Sequence, residues 1–253
     1  MTELPSVLPS VLPTASTHLL SVAQVVDVGP RMRRISLIGD ALADFAPLPG
    51  QDVVVHVSDG HGGGVSRRYT IRNLDTAARR FDLDVVMHGH GPGAAWAASV
   101  AVGDAVEVFG PRGKVPLADA RWQLFVGDES AIPAIAEMIA ALPSGTTAVA
   151  VIEVTDADDE QPISATGPVD VRWLHRLDTP AGESELLQAA VASIEFPDAD
   201  RHAYLFAESR VVRRLRDDLG ACGLRPHEIS AKGYWNLGRV SQSRSAESPS
   251  LLE

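Results

Sequence analysis

Aromatic residues, lysine and cysteine are all scarce in this chain of 253 residues, and each scarcity excludes something. Aromatics make up 5% of the composition, so packing falls to the Ala, Val, Leu and Ile that dominate a hydrophobic fraction of 45%. The one cysteine, Cys222, excludes an intramolecular disulfide and fits a reducing compartment. It lies near the end of an expected helix and reads as a packing residue. No apolar run approaches the ~20 residues needed to span a bilayer, and the N-terminus lacks the basic region of a signal peptide. A cytoplasmic location is the expectation. Of the 22 basic residues only Lys114 and Lys232 are lysine, and the net charge is −11. That balance argues against nucleic acid or an anionic membrane as partner, because phosphate binding needs clustered cations. The eight histidines are scattered. His88 and His90 lie close together, but no cysteine or carboxylate stands at zinc-ligand spacing, so no structural metal is expected.

Two rhythms divide the rest. Residues 1–15 carry the tandem repeat Leu4-Pro5-Ser6-Val7 and Leu8-Pro9-Ser10-Val11, whose prolines forbid a regular helix or a central strand. This predicts a mobile extension, and the serine-rich residues 241–253 predict a loose tail. From His18 to Gly110, short β-branched runs at Leu20–Val28, Met32–Ile38, Asp52–Val57, Tyr69–Arg72, Phe81–Met87 and Ala105–Phe109 predict an antiparallel barrel. An Ala-rich helical stretch at Gly93–Val100 interrupts them. After Pro116, strands at Trp122–Val126, Thr147–Val154, Val169–Leu174 and Ala203–Ala207 alternate with helices at Ala131–Leu142, Glu183–Ile194 and Val211–Leu219. Alternation of this kind implies βαβ units and a parallel sheet. The fold class is therefore β plus α/β, with domains at 16–116 and 117–240 joined near Pro111–Pro116.

Chemistry concentrates at four places. In Ser66-Arg67-Arg68-Tyr69-Thr70, Arg67 and Tyr69 share one face of a strand. Arg67 could clamp a phosphate with its forked guanidinium, Tyr69 could lie against a planar ring, and Thr70 could bond ring heteroatoms; a strand with a basic edge reads the same way. Gly127-Asp128-Glu129-Ser130-Ala131-Ile132-Pro133 follows an apolar strand and opens a helix. It is a well-capped helix start, and in a βαβ setting it is also where a nucleotide would sit. Phe206-Ala207-Glu208-Ser209-Arg210 repeats that arrangement, followed by Arg213, Arg214 and Arg216, which form either a solvated face or a basic one. Lys232-Gly233-Tyr234-Trp235-Asn236-Leu237-Gly238-Arg239 sets two aromatics beside a glycine and offers two cations.

These strings, in this order, resemble the siderophore-interacting protein family within the ferredoxin-reductase-like superfamily. Arg67-x-Tyr69-Thr70 is similar to its flavin signature. Asp82 to Gly89, Gly91 to Ala97, Gly103-Asp104, Gly110 to Gly113, Gly127 to Ile135, Trp173 to Arg176 and Gly233 to Trp235 are similar to other strings of the siderophore-interacting proteins, and the resemblance runs across residues 18–240. It implies an FAD-dependent ferric-siderophore reductase: NAD(P)H reduces FAD, the flavin reduces the ferric siderophore, and Fe(II) is released. It assigns Arg67, Tyr69, Thr70, Val86, His88, Gly93, Ala94, Trp96, Tyr234 and Trp235 to FAD, and Gly127, Asp128, Glu129, Ser130, Ala131 and Glu208 to the nucleotide. Lys232 and Arg239 fall to an anionic ferric chelate, and no acid–base catalyst is implied. Glycines at 89, 91 and 93 would let backbone amides approach a phosphate at the start of the short helix. The chain departs from the family at Gly93 for Ala, Ala94 for a hydroxyl residue, Ala207 for Gly and Asn236 for a basic residue.

The carboxylates from Glu153 to Glu160 would suit a ribose diol or simply form a solvated acidic loop, so NADH and NADPH both stand open. The expected partner is a ferric siderophore, with ferredoxin as an alternative donor and a monomer as the oligomeric state. The alternatives in function are a flavin- or siderophore-binding protein reduced by ferredoxin, and a general flavin-dependent ferric or quinone reductase.

Overall fold

In a computed structural model, residues 14–60, 62–89, 91–113 and 115–238 are described. The Leu-Pro-Ser-Val repeat, Arg239 and the serine-rich tail lie outside them.

The first half forms a seven-stranded antiparallel sheet from β1 (Ser16–Gly29), β2 (Met32–Ile38), β3 (Asp52–Ser58), β4 (Gly64–Thr70), β5 (Arg72–Asp75), β6 (Arg80–Val86) and β7 (Ala105–Arg112). Its order is β4-β3-β7-β1-β2-β6-β5. The two edge strands, β4 and β5, are consecutive in the chain and separated by Ile71 alone, so the sheet curls into a half-barrel whose seam lies there. The expected single strand over Tyr69–Arg72 is therefore two. Ile71 is buried in the core and Asn73 turns the chain with φ 50°. Alternating residues of the strands, among them Leu20, Ile35, Val53, Val55, Phe81, Leu83 and Val108, fill the interior. A short helix, α1 (Gly91–Ser99), covers one end.

The second half is a parallel sheet of β8 (Trp122–Asp128), β9 (Thr147–Val154), β10 (Val169–His175), β11 (Arg201–Glu208) and β12 (Ile229–Trp235), in the order β10-β9-β8-β11-β12. Helix α2 (Ile132–Ala140) covers one face. Helices α3 (Leu186–Ala192) and α4 (Ser209–Ala221) cover the other. Strand order reverses between β8 and β11, and in open α/β sheets ligands bind outside the carboxyl ends at such a switch point. The final strand, β12, has no counterpart in the expected elements. It is an edge strand carrying Lys232 and Gly233, and its weak apolar pattern follows from that position. On α4, Val211, Val212, Leu215 and Leu219 are buried while Arg213, Arg214 and Arg216 are exposed, so the arginine run is the helix's outer face. Cys222, expected to pack, is exposed just after α4, because the helix ends before its side chain can turn inward.

Polar bonds tie the sheets together. Arg31, in the turn between β1 and β2, reaches Asp159 at 2.7 Å and Asp156 at 3.0 Å. The amide of Asn73 donates to the Glu137 carboxylate at 3.1 Å. Behind this seam Asp84, with a fully buried side chain, accepts two bonds from Arg34 at 2.6 and 2.8 Å and one from Arg72 at 2.8 Å. Removing one member of a buried ion network leaves the others unpaired. Asp84→Ala should destabilise the chain by about 3–5 kcal/mol in urea unfolding. A loss below about 1 kcal/mol would show that the two guanidiniums find water instead.

Candidate active site

The half-barrel presents its chemistry at the end of β4. Residues Arg67 and Tyr69 lie on one face by the strand's period of two. The Tyr69 ring stacks on Trp96 of α1, with centroids 5.7 Å apart and planes 28° apart. Burial raises the Tyr69 phenol's pKa, so it stays a neutral donor. A Cβ placed on Gly93 would come within 2.6 Å of the Tyr69 hydroxyl, and the backbone of α1 can sit this close to β4 because that Cβ is missing. Positive φ angles at Gly89 (80°) and Gly91 (79°) aim the first turn of α1 at the same place. Arg67, half-buried, donates to the Ser66 carbonyl at 3.0 Å. Ala94 is buried, Val86 is half-buried and His88 is exposed at the end of β6. A forked cation, a flat aromatic pair and the unpaired amides of a first helical turn form a donor set that suits the pyrophosphate and ring of a flavin nucleotide.

The second cluster sits at the switch point. Gly127 is tightly held: a Cβ there would lie 2.6 Å from both the Ala131 side chain and the Phe206 carbonyl. The next residue, Asp128, is buried, and one carboxylate oxygen accepts the Ser130 amide at 3.0 Å and the Ser130 hydroxyl. The other accepts the Glu208 amide at 3.1 Å and the Trp235 indole N–H at 2.8 Å. Glu208 is buried too, and it caps α4 by accepting the amides of Arg210 and of Val211, the latter at 3.1 Å. Its other oxygen takes the Leu237 amide at 3.1 Å. A carboxylate with the sequence position of a nucleotide ligand is thus a helix cap in this structure. Glu129 holds Arg176 through both oxygens, at 2.7 and 2.8 Å.

The end of β12 joins the two clusters. Tyr234 packs 5.3 Å from Phe206, with Thr70 of β4 beside its hydroxyl. Its neighbour Trp235 donates its indole N–H to Asp128. Lys232, expected at the chelate, lies over the Tyr234 ring and bonds Asp52 of β3 at 2.8 Å. Asp52 also accepts the guanidinium fork of Arg68 at 2.9 and 2.8 Å. Sequence reasoning assigned no role to Asp52 or Arg176. The signal for Asp52 was a lone carboxylate opening an otherwise apolar strand; Arg176 was visible only within a family string.

A curled antiparallel sheet followed by a five-stranded parallel sheet, with a site at their seam, defines the ferredoxin-reductase-like fold, and the ferredoxin reductase of carbazole 1,9a-dioxygenase superimposes with TM-score 0.71 over 90% of this chain and 71% of its own, at 17% identity. Residues 53–115 match the siderophore-interacting FAD-binding domain and residues 120–238 match the siderophore-interacting protein family. The siderophore utilization protein from T. fusca superimposes with TM-score 0.83 at 30% identity, covering 92% of this chain and 97% of that one. An uncharacterized protein of Mycobacterium tuberculosis is 32% identical, covering 92% of this chain and 82% of its own. The ferric vibriobactin reductase of Vibrio cholerae is 30% identical, covering 71% of this chain and 67% of that enzyme. The chain belongs to the siderophore-interacting protein family, and with it to the FAD-dependent oxidoreductases of ferredoxin-reductase-like fold.

Burial pushes the Asp128 carboxyl up to about 7 from its ordinary 3.8. The folded state therefore holds this proton more tightly than the unfolded chain. The contribution to stability is fully present below pH 3.8 and is lost as the pH rises through about 7. Asp128→Asn removes the titration, so its melting temperature should improve relative to the parent between about pH 4 and pH 7. A pH-independent difference between the two melting curves counts against a raised pKa.

Proposed function

We propose that the chain is a ferric-siderophore reductase that takes electrons from a nicotinamide nucleotide. Residues 16–116 would form the FAD-binding domain and residues 117–240 the nucleotide-binding domain. The observation that carries this reading is the end of β12, where nearby residues reach both sheets: Lys232 bonds Asp52, which Arg68 of β4 shares, and Trp235 bonds Asp128. A strand end shared in this way supports placing a donor and a flavin side by side, which is most of what the protein must contribute to such a transfer.

FAD, when bound, would supply the capacity to accept a hydride and to hand electrons on one at a time. The chain's own residues would bind and orient. Arg67 would hold the pyrophosphate with the first-turn amides of α1, including those of Gly93 and Ala94. Tyr69, backed by Trp96, would lie against the ring system, and Thr70 and Tyr234 would face its polar edge. Val86 and His88 would border the remainder. Gly127 to Ala131 would receive the nucleotide, with Asp128 and Glu208 holding the crevice walls in place. Lys232, anchored by Asp52, would supply positive charge for an anionic ferric chelate; Arg239, the other cation assigned to it, lies outside the described residues. No side chain is required to move a proton in the iron-reducing step.

Purified protein should be yellow, and anaerobic NADH or NADPH should bleach it. A ferric siderophore with a ferrous trap should then restore the colour while Fe(II) accumulates. Arg67→Ala combined with Tyr69→Ala should lower FAD affinity at least about tenfold, the loss of roughly one charge-assisted contact. A colourless protein that refuses added FAD rejects the assignment. Bleaching by reduced ferredoxin and by neither nucleotide would keep the flavin reading and replace the donor.

A further inference from the structure

The carboxyl edge of β8, β9 and β10 is where the adenosine end of a dinucleotide lies in an open α/β sheet, and the groups there decide between a free ribose diol and a 2′-phosphate. A phosphate ester carries close to two negative charges and is recognised by forked or clustered cations. Among the described residues at the ends of β9 and β10, each arginine is paired with a carboxylate. The guanidinium of Arg176, at the end of β10, is held by both oxygens of Glu129 and donates to the Thr155 hydroxyl at 2.9 Å. Both side chains of that pair are largely desolvated, with Arg176 7% and Glu129 17% exposed. Arg31, which reaches this edge from the other sheet, bonds Asp159 and Asp156. Even His175 has its Nε2 2.8 Å from the Glu160 carboxylate. Carboxylates outnumber cations here, since Asp158 is exposed nearby and Glu153 is buried beside Ser184.

One further feature distinguishes this edge. Leu177 follows Arg176 directly, is 63% exposed and is held in the left-handed region at φ 53°. A bulky side chain rarely adopts that conformation. Its amide donates to the Thr155 carbonyl at 2.9 Å, which keeps this exposed apolar residue next to Thr155. An adenine ring and a ribose diol suit that pairing; a dianion among surplus carboxylates does not.

We propose that this edge selects a nucleotide without a 2′-phosphate, so that the electron donor is NADH rather than NADPH, and that the Glu129–Arg176 pair is the determinant because it neutralises the one guanidinium at the end of β10. The proposal rests on the nicotinamide-donor reading above and deepens it. Calorimetric titration of the purified protein with 5′-ADP and with 2′,5′-ADP tests it without turnover. 5′-ADP should bind at least about tenfold tighter. In steady state with a ferrous trap, kcat/KM for NADH should exceed that for NADPH by a similar factor. Glu129→Gln, which leaves Arg176 charged but no longer neutralised, should raise 2′,5′-ADP affinity about tenfold relative to 5′-ADP. If that variant does not fold, the two wild-type comparisons decide. Equal or tighter binding of 2′,5′-ADP, with NADPH used as well as NADH, overturns the preference and leaves the donor reading standing. Binding of neither ADP and oxidation of neither nucleotide overturns both.

Discussion

The buried carboxylate of Asp128 holds together the ends of three strands. It closes β8 onto its own turn through Ser130, takes the backbone amide that ends β11, and fixes the indole at the end of β12. Burying such a group without partners would be prohibitive; here two amides, a hydroxyl and an indole N–H surround it. The consequence extends beyond the parallel sheet. With Trp235 fixed, Lys232 on the same strand reaches Asp52, so this strand end helps to set the seam between the two sheets. Each half of the candidate site is locally built, and Asp128, with the bonds of Arg31 and Glu137 across the seam, holds them side by side.

The elements that the sequence made legible are those whose neighbours are close in the chain. Alternating β-branched runs such as Asp52–Val57 and Phe81–Met87 give strands at nearly the expected places, because one face of each meets a single core. The strand-then-helix starts at Gly127 and Pro133 were legible for the same reason. What was not legible depends on partners far away in sequence. The edge strand β12 is a strand because β11 accepts it, not because of its own pattern. The break at Ile71 follows from Arg72 being drawn to Asp84. Glu208 stood at a strand end before a helix and was assigned to the nucleotide by the resemblance. Helix α4 begins one residue later, and its orphan amides claim that carboxylate. For the site residues, composition and spacing supplied the side chains, and the family resemblance supplied their grouping.

The near-absence of lysine acquires a reason in this arrangement. The charges that organise the chain meet as planar forks on carboxylates: Arg34 on Asp84, Arg68 on Asp52, Arg33 on Asp27 and Arg176 on Glu129. A guanidinium can bond both oxygens of a carboxylate at once and is more weakly hydrated than an ammonium, so it tolerates a half-buried seam better. Lys232 is the one lysine among the described residues, and it stands where a fork would not serve. Its ammonium lies 5.0 Å from the centre of the Tyr234 ring and 2.8 Å from an Asp52 oxygen that Arg68 already shares. A point charge can satisfy both contacts, whereas a second planar fork would compete with Arg68 for the same two oxygens. The same reasoning bears on ligands. With Asp52 shared by two cations the cluster of Lys232, Arg68 and Asp52 keeps a net positive charge, while at the far edge of the parallel sheet Arg176 is cancelled by Glu129. The chain thus distributes a few cations between two ends of one site, leaving positive charge at the β3–β12 end and cancelling it at the end of β10.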